Sequence, residues 1–302
     1  MAHKSVLLKE SIEYLNPESA DTILDATIDG GGHAEAILEK IGKEGRLIGI
    51  EQDAEILEEL KSKIENQNEK LWENIILING NFRDLDKLLE HYNIKKINGA
   101  IFDLGMSSLQ IEESGRGLSF RRNEPLLMTY KSYLEPSDLT AKDIVNEWGE
   151  EEISSIIYKF GEERYSRRIA KNIVEERKKK PIETTFDLIS VIEMSVPPFY
   201  LHGRIHCATK TFQALRIAVN DEMGALENGI KKAWKLLEPG SRLVVISFHS
   251  LEDRIIKFFY KDISLRGEGK ILTKKPIIAS KEEVESNSRS RSAKLRAIEK
   301  IL

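Results

Sequence analysis

The first 105 residues alternate between two hydrophobic patterns. Short β-branched runs, Thr22–Thr27, Leu47–Ile50, Ile75–Ile78 and Ala100–Phe102, are apolar almost throughout, as strands buried on both faces are. Between the first three, Ala34–Ile41 and Ala54–Ile64 place apolar residues near the 3.6-residue period of a helix. A fifth apolar run, Leu243–Ile246, arrives about 140 residues after the fourth. Strands alternating with helices predict an α/β fold with a mostly parallel sheet and right-handed crossovers. A gap of that length exceeds one crossover, so it predicts a helical domain inserted over residues 120–206. The sheet domain is then split between residues 1–119 and 207–302.

Polar punctuation supports the helical reading of the insert. Ser137 ahead of Ala141, and Thr184 with Asp187, look like helix starts, while Pro181 and Pro197-Pro198 interrupt the helical pattern. Arg164, Arg168 and Lys171 fall at i, i+4 and i+7, which predicts one basic helix face beside an apolar face of Ile169 and Ile173. The Ser/Arg stretch at residues 286–292 reads as a loop or a mobile terminal segment.

Composition narrows the class. The chain of 302 residues is 40% hydrophobic and 32% charged, which suits a well-solvated globular protein. Its apolar runs have strand length, so no membrane span is expected, and the first residues lack a signal-peptide core. Cys207 is the sole cysteine. That excludes an intramolecular disulfide and thiolate-cluster zinc sites, and points to a reducing, cytoplasmic compartment. The histidines form no H-E-x-x-H pattern, so no metal is expected. A net charge of −4 conceals local basic stretches: 13 Lys/Arg against 6 Asp/Glu over residues 254–302, and 9 against 4 over residues 159–181. Such surfaces can meet phosphates, although solvated helix faces read the same way.

The first strand runs into Asp25-Ala26-Thr27-Ile28-Asp29-Gly30-Gly31-Gly32-His33, ahead of a helix. Glycines there allow a sharp turn and a close backbone approach, and the helix start offers unpaired amides. Glu51 ends the second strand 20 residues beyond Gly31, where an acid accepts ribose hydroxyls in doubly wound nucleotide sites. An adenosine-containing ligand follows. A G-x-G-x-x-G fingerprint begun at Gly30 would end on Glu35, which argues against a dinucleotide and hence a nicotinamide oxidoreductase. No phosphate-binding G-x-x-x-x-G-K-[ST] sequence occurs. S-adenosylmethionine, with ribose and adenine but no phosphate, suits this loop. Phe82, after the third strand, could flank adenine or pack in the core.

At Asp103-Leu104-Gly105-Met106-Ser107-Ser108-Leu109-Gln110 the chain resembles the bacterial 16S ribosomal RNA cytosine-N4 methyltransferases that act in the decoding centre. Further motifs continue the likeness in order: His3-x-x-Val6-Leu7-Leu8, Arg116-Gly117-Leu118-Ser119-Phe120, Gly161-Glu162-Glu163-Arg164, the segment from Ala208 to Ile217, Ser247 to Arg254, and Arg289 to Arg296. The resemblance implies a Rossmann-like S-adenosylmethionine-dependent methyltransferase sheet that ends in an antiparallel pair and carries an inserted helical domain. It implies cofactor contacts from Gly31, Gly32, His33, Glu51, Phe82, Asp103 and Gln110. Its expected partner is 16S ribosomal RNA or the small ribosomal subunit. The family has Asp where Glu51 stands, Pro where Leu109 stands, and an Asp and an Arg where Leu127 and Thr129 stand. Those changes keep open a diverged paralogue acting on another nucleotide, or a non-catalytic ribosome-assembly protein.

The N4 amine of cytosine is a weak nucleophile, because its lone pair is delocalised into the ring. An acceptor beside it and in-line positioning would promote methyl transfer. Asp103 is the candidate acceptor, or the group that orients the cofactor amine. His249 could touch the base or a phosphate, but Ser250-Leu251-Glu252-Asp253 also fits a capping box. Ser107 and Ser108 could cap a segment or meet substrate. His33 reads as a helix-start residue, and Cys207 as a small buried thiol. Arg164, Arg168, Lys171, Arg289, Arg291, Lys294 and Arg296 are the candidate RNA contacts.

Overall fold

The computed structural model describes residues 5–67, 70–107, 110–111 and 114–302. His3, Ser108 and Leu109, singled out above, lie outside them. The described chain begins with α1 (Leu8–Leu15), β1 (Thr22–Asp25), α2 (Gly32–Ile41), β2 (Arg46–Glu51), α3 (Ala54–Gln67), β3 (Ile75–Asn79), α4 (Leu85–His91) and β4 (Ile97–Asp103). The helices α5 (Ala141–Glu147), α6 (Glu150–Gly161), α7 (Ser166–Arg177), α8 (Thr185–Ser195), α9 (Pro198–Leu201) and α10 (Thr209–Asn220) come next. The chain closes with α11 (Glu222–Leu236), β5 (Leu237–Ser247), α12 (Ser250–Leu265), β6 (Gly269–Ile271), α13 (Lys281–Ser286) and β7 (Lys294–Lys300).

Two compact units divide these elements, residues 1–107 with 223–302, and residues 108–222. In the first, seven strands lie in the order β3-β2-β1-β4-β5-β7-β6. Strands β1 to β5 pair in parallel, whereas β7 runs antiparallel to both β5 and β6. Alternation along each strand feeds two cores. Leu24, Ile48, Phe102 and Val245 pack with residues of α4, α11 and α12 on one face. Ile23, Leu47, Ile101 and Val244 pack with α1, α2 and α3 on the other. Period-two burial on a sheet covered on both sides explains why these runs are apolar throughout. The Rossmann-like class and the antiparallel close of the sheet agree with the sequence reading.

The second unit is helical, with Ile144, Ile157, Ile169, Ile173, Leu188 and Leu215 fully buried. Its limits are wider than residues 120–206, because α10 packs against α6. A Cβ on Gly161 would strike the Lys210 carbonyl, and Gln213 Nε2 donates to the Phe160 carbonyl at 3.0 Å. Glycine here permits a close helix–helix approach, so the segment after residue 206 belongs to the helical unit. Thr184 and Asp187 form the expected reciprocal cap of α8. For α5 the cap is Thr140 with Asp143, not Ser137. Helix α7 starts at Ser166, so Arg164 precedes it and the expected i, i+4, i+7 face shrinks to Arg168 and Lys171.

Candidate cofactor site and active site

The site is built on the carboxyl ends of β1, β2 and β4. After β1 the chain is tied to both neighbours: Ala26 N donates to the Ile101 carbonyl at 2.9 Å, and Ile28 N donates to the Ile50 carbonyl at 3.0 Å. Asp29 then adopts φ 44° and Gly31 φ 81°, closing a tight turn in which Gly31 N donates to the Ile28 carbonyl. A Cβ on Gly31 would lie 2.8 Å from Leu60 Cδ1 and 3.1 Å from Trp72, and one on Gly32 would strike Ser5 Oγ. The glycines thus answer first to the turn and to the protein packed behind it. Gly31 supplies no side-chain cap to α2, so the amino end of α2 faces the ligand side with its positive dipole end.

Glu51 is buried at the end of β2. Asp53 N donates to its Oε1 at 2.8 Å and Asp29 N to its Oε2 at 3.3 Å. Two backbone bonds fix the carboxylate and leave each oxygen a further lone pair, the complement of a ribose diol. Burial, reinforced by neighbouring Asp29 and Asp53, pushes its pKa up to about 8. Asp103 ends β4. Its backbone N donates to Thr27 Oγ1 at 2.6 Å, and its Oδ1 accepts from Gly105 N at 3.2 Å. Burial raises it to about 8, with Asp29, Asp25 and Glu252 adding repulsion. Asp25 rises to about 7, again chiefly by burial. Among the described residues none of these three carboxylates pairs with a lysine or arginine. The nearest cationisable group is His33, whose Nδ1 lies 3.7 Å from Asp103 Oδ2 while Nε2 is 3.2 Å from the Val6 carbonyl. If Nε2 donates to that carbonyl, the neutral ring turns an acceptor toward Asp103.

Phe82 sits in a short 3-10 turn, Phe82–Asp84, capped by Asn81, whose side chain also donates to Gln52 Oε1 at 2.8 Å. Its ring meets Phe102 edge-on at 5.4 Å and fills the space beside Gly229. It is therefore partly a core residue, with some of its surface still exposed. Gln110 and Ser107 are buried.

His249 is the N-cap of α12: its Nδ1 accepts from Glu252 N, and Glu252 Oε2 accepts from His249 N at 3.2 Å and Phe248 N at 2.8 Å. The capping box therefore falls one residue earlier than the sequence reading put it, and Ser250 is the first helical residue. Nε2 lies 3.2 Å from Glu252 Oε1, outside hydrogen-bond geometry. Cys207 is buried and its thiol is pushed up, mainly by that burial.

The candidate RNA contacts differ in how free they are. Arg296 is buried, and Asp253 grips it through Nε at 2.7 Å and a second nitrogen at 3.3 Å. Lys294 lies 3.6 Å from the same carboxylate. Arg291 is exposed and Arg289 half-buried in the 3-10 turn Ser288–Ser292, where the sequence suggested a loop. Arg168 is exposed, and Lys171 is 3.8 Å from Glu175. Arg164 is exposed yet stacked, with its guanidinium 4.8 Å from the Tyr165 ring centre, 5.1 Å from Tyr200 and 5.8 Å from Phe199. Glu163 holds that cluster from below, accepting from Tyr200 Oη at 2.6 Å and Tyr165 N at 2.9 Å. Sequence reasoning missed Glu163 because only its zero exposure separates it from the acids around it.

Desolvated strand-tip acids with no described lysine or arginine beside them suit a cationic ligand, and Glu51 suits hydroxyls. An adenosyl sulfonium answers both demands. The sheet that carries them is that of the Rossmann-like S-adenosylmethionine-dependent methyltransferases. The chain belongs to the MraW methylase family, which it matches over residues 1–301. A Clostridium botulinum (strain Kyoto / Type A2) protein named Ribosomal RNA small subunit methyltransferase H is 42% identical over 315 residues, covering 99% of each chain. Its namesake in Brevibacillus brevis is 40% identical over 314 residues, covering 99% of this chain and 98% of that one. Among solved structures, an rRNA methylase from Streptococcus thermophilus has a TM-score of 0.43 at 13% identity, covering 98% of this chain and 94% of that one.

Proposed function

We propose that this methylase acts on ribosomal RNA of the small subunit, in the cytoplasm, and modifies the N4 amine of a cytidine. The observation that carries the cofactor half is the meeting of three desolvated strand-tip carboxylates, Asp25, Glu51 and Asp103, with no described lysine or arginine paired to them. The substrate half rests on full-length relatives of about 40% identity that carry that name. Bound S-adenosylmethionine supplies an electrophilic methyl group on a sulfonium. Glu51 is assigned to the ribose hydroxyls and the Gly31–His33 backbone to the polar end of the ligand. Phe82 and Gln110 are assigned to the same ligand. Asp103 is assigned to holding a cationic amine, because a carboxylate forced up by burial regains its ordinary acidity beside a positive charge. By ordering donor and base, these groups supply positioning, which lowers the barrier for a weakly nucleophilic amine. A target base must leave its stack before its amine can meet such a site. Arg164 on its aromatic bed, with Arg168, Lys171, Arg289 and Arg291, is assigned to the RNA backbone. His249 is assigned to orienting α12, and its replacement by Asn, another good cap, should preserve activity.

The test is incubation with methyl-labelled donor and small subunits lacking the modification, followed by mapping of the labelled nucleotide. Label on a cytidine N4 is the expected result. Label on another atom would leave the enzyme a paralogue of different specificity. Donor binding without label in RNA would overturn the assignment.

A further inference from the structure

One concave site lies in the sheet unit at the edge opposite β3, between α12 and the edge strand β6. Its cavity has a volume of about 610 Å³. Four lysines line it: Lys257 and Lys261, one turn apart on α12, Lys270 on β6, and Lys274 just beyond it. Among the described residues no carboxylate lines the cavity. All four lysines are exposed, and none forms an ion pair with a described carboxylate.

The acids nearby are each engaged by an arginine, Asp262 and Glu268 sharing one. Asp262 and Glu268 lie 3.1 Å and 3.3 Å from Arg266 nitrogens, Glu299 is 3.0 Å from Arg242, and Asp253 holds Arg296. Arg296 also lines the cavity, so its pairing removes one positive charge from the floor and leaves the lysines as its net field. Four like charges around one hollow give it a positive local field that attracts anions. Hydroxyl groups of Ser264 and Thr273 line the same hollow. Lysine is a point charge on a flexible stem, suited to phosphate without fixing its orientation. The charges are spread along a helix and a strand edge rather than gathered on one point. That spacing matches an extended polyanion better than a single small anion.

We propose that this lysine-lined cavity binds the phosphate backbone of the RNA substrate without reading its sequence. The proposal deepens the ribosomal RNA reading and rests on it. In the sheet order, β6 is three strand spacings from β4, and its register through Glu299 and Arg242 meets Gly99, four residues before Asp103, so β6 lies roughly 20 Å from the strand tip at Asp103. An RNA strand anchored there is held away from Asp103, toward the other end of the strands, several nucleotides from the base being modified. The contact adds affinity and leaves the choice of nucleotide to other groups.

The test uses the full-length variant K257Q/K261Q/K270Q/K274Q and a fluorescent 12-nucleotide single-stranded RNA of mixed sequence. Anisotropy is measured over a range of salt concentrations. Each lost phosphate contact lowers the slope of log affinity against log salt by about 0.7, so the variant's slope should be shallower by about 3. Affinity in moderate salt should fall at least tenfold, while the heat of S-adenosylmethionine binding, which reports an intact fold, stays within twofold. The reversal K257E/K261E should weaken RNA binding further. A variant that binds the oligonucleotide with the parent's affinity and slope overturns the proposal. So does tripolyphosphate binding at the lysines that fails to compete with RNA. Methyl transfer to unmodified small subunits is read separately. Failure of the parent enzyme there counts against the ribosomal RNA assignment, whereas the oligonucleotide result decides the cavity.

Discussion

The sheet unit and the helical unit handle charge in opposite ways. The first desolvates acids at the tips of its strands with no described lysine or arginine paired to them. Among its described residues the second buries one acid, Glu163, and satisfies it with a tyrosine hydroxyl and a backbone amide, while Arg164 stays at the surface on aromatic rings. Strain of the first kind is relieved by a proton or by a cationic ligand. The second arrangement is complete as it stands and merely displays a cation. Ligand dependence therefore belongs to the carboxylate site, and scaffold stability to the helices.

The largest test of this contrast is Glu51→Ala. Losing two hydrogen bonds to a charged acceptor, each worth about 1.5–3 kcal/mol, should weaken donor binding by at least 100-fold in calorimetry. A drop under tenfold would mean that the ribose is held elsewhere. Gly31→Ala comes next. A left-handed φ costs an L-residue about 1–2 kcal/mol, and the new methyl meets Leu60. Urea titration should show a loss of about 2 kcal/mol, together with weakened donor binding; an unchanged midpoint would refute the packing argument.

pH then separates the two units. The pKa values of Asp25, Glu51 and Asp103 stand at about 7 to 8 in the ligand-free fold, against about 4 in the unfolded chain. The folded state therefore holds more protons. The stabilisation is full below pH 4 and disappears as pH rises through 7 to 8. Melting of the ligand-free enzyme should fall by several degrees between pH 6 and pH 9, and Asp103→Asn should flatten that decline. Donor affinity should move the other way, rising from pH 6 to 8 as the carboxylates ionise. Parallel trends would show that ligand and proton do not compete for these groups. The smallest effect is expected from Thr184→Ala, which removes one helix cap and costs about 1 kcal/mol. Donor affinity should be unaffected; a shift above threefold would couple the helical unit to the cofactor.

The parts of the fold visible in sequence were those with a strong local cause. Four central strands announced themselves as β-branched runs because they are buried on both faces, and Thr184 with Asp187 announced a helix start. Strand β6 was invisible, being three residues whose pairing depends on β7. The start of α7 was misplaced, since basic side chains at helical spacing do not show where a helix begins. The cap of α12 moved to His249 because its imidazole can accept the amide that a serine was expected to take. The boundary at residue 206 failed for a nonlocal reason: the contact of Gly161 with Lys210 is 49 residues apart in sequence. Glu51 and Asp103 were legible as strand-tip acids. Their shared desolvation was not, because it arises only when three separate strand ends meet.

The helical unit interrupts the sheet unit's chain once, between β4 and α11, the helix that crosses over to β5. A single point of interruption leaves all seven strands outside the inserted segment. Exchange of that segment between relatives is then an evolutionary operation with two splice points that leaves the strand-tip acids Asp25, Glu51 and Asp103 in place.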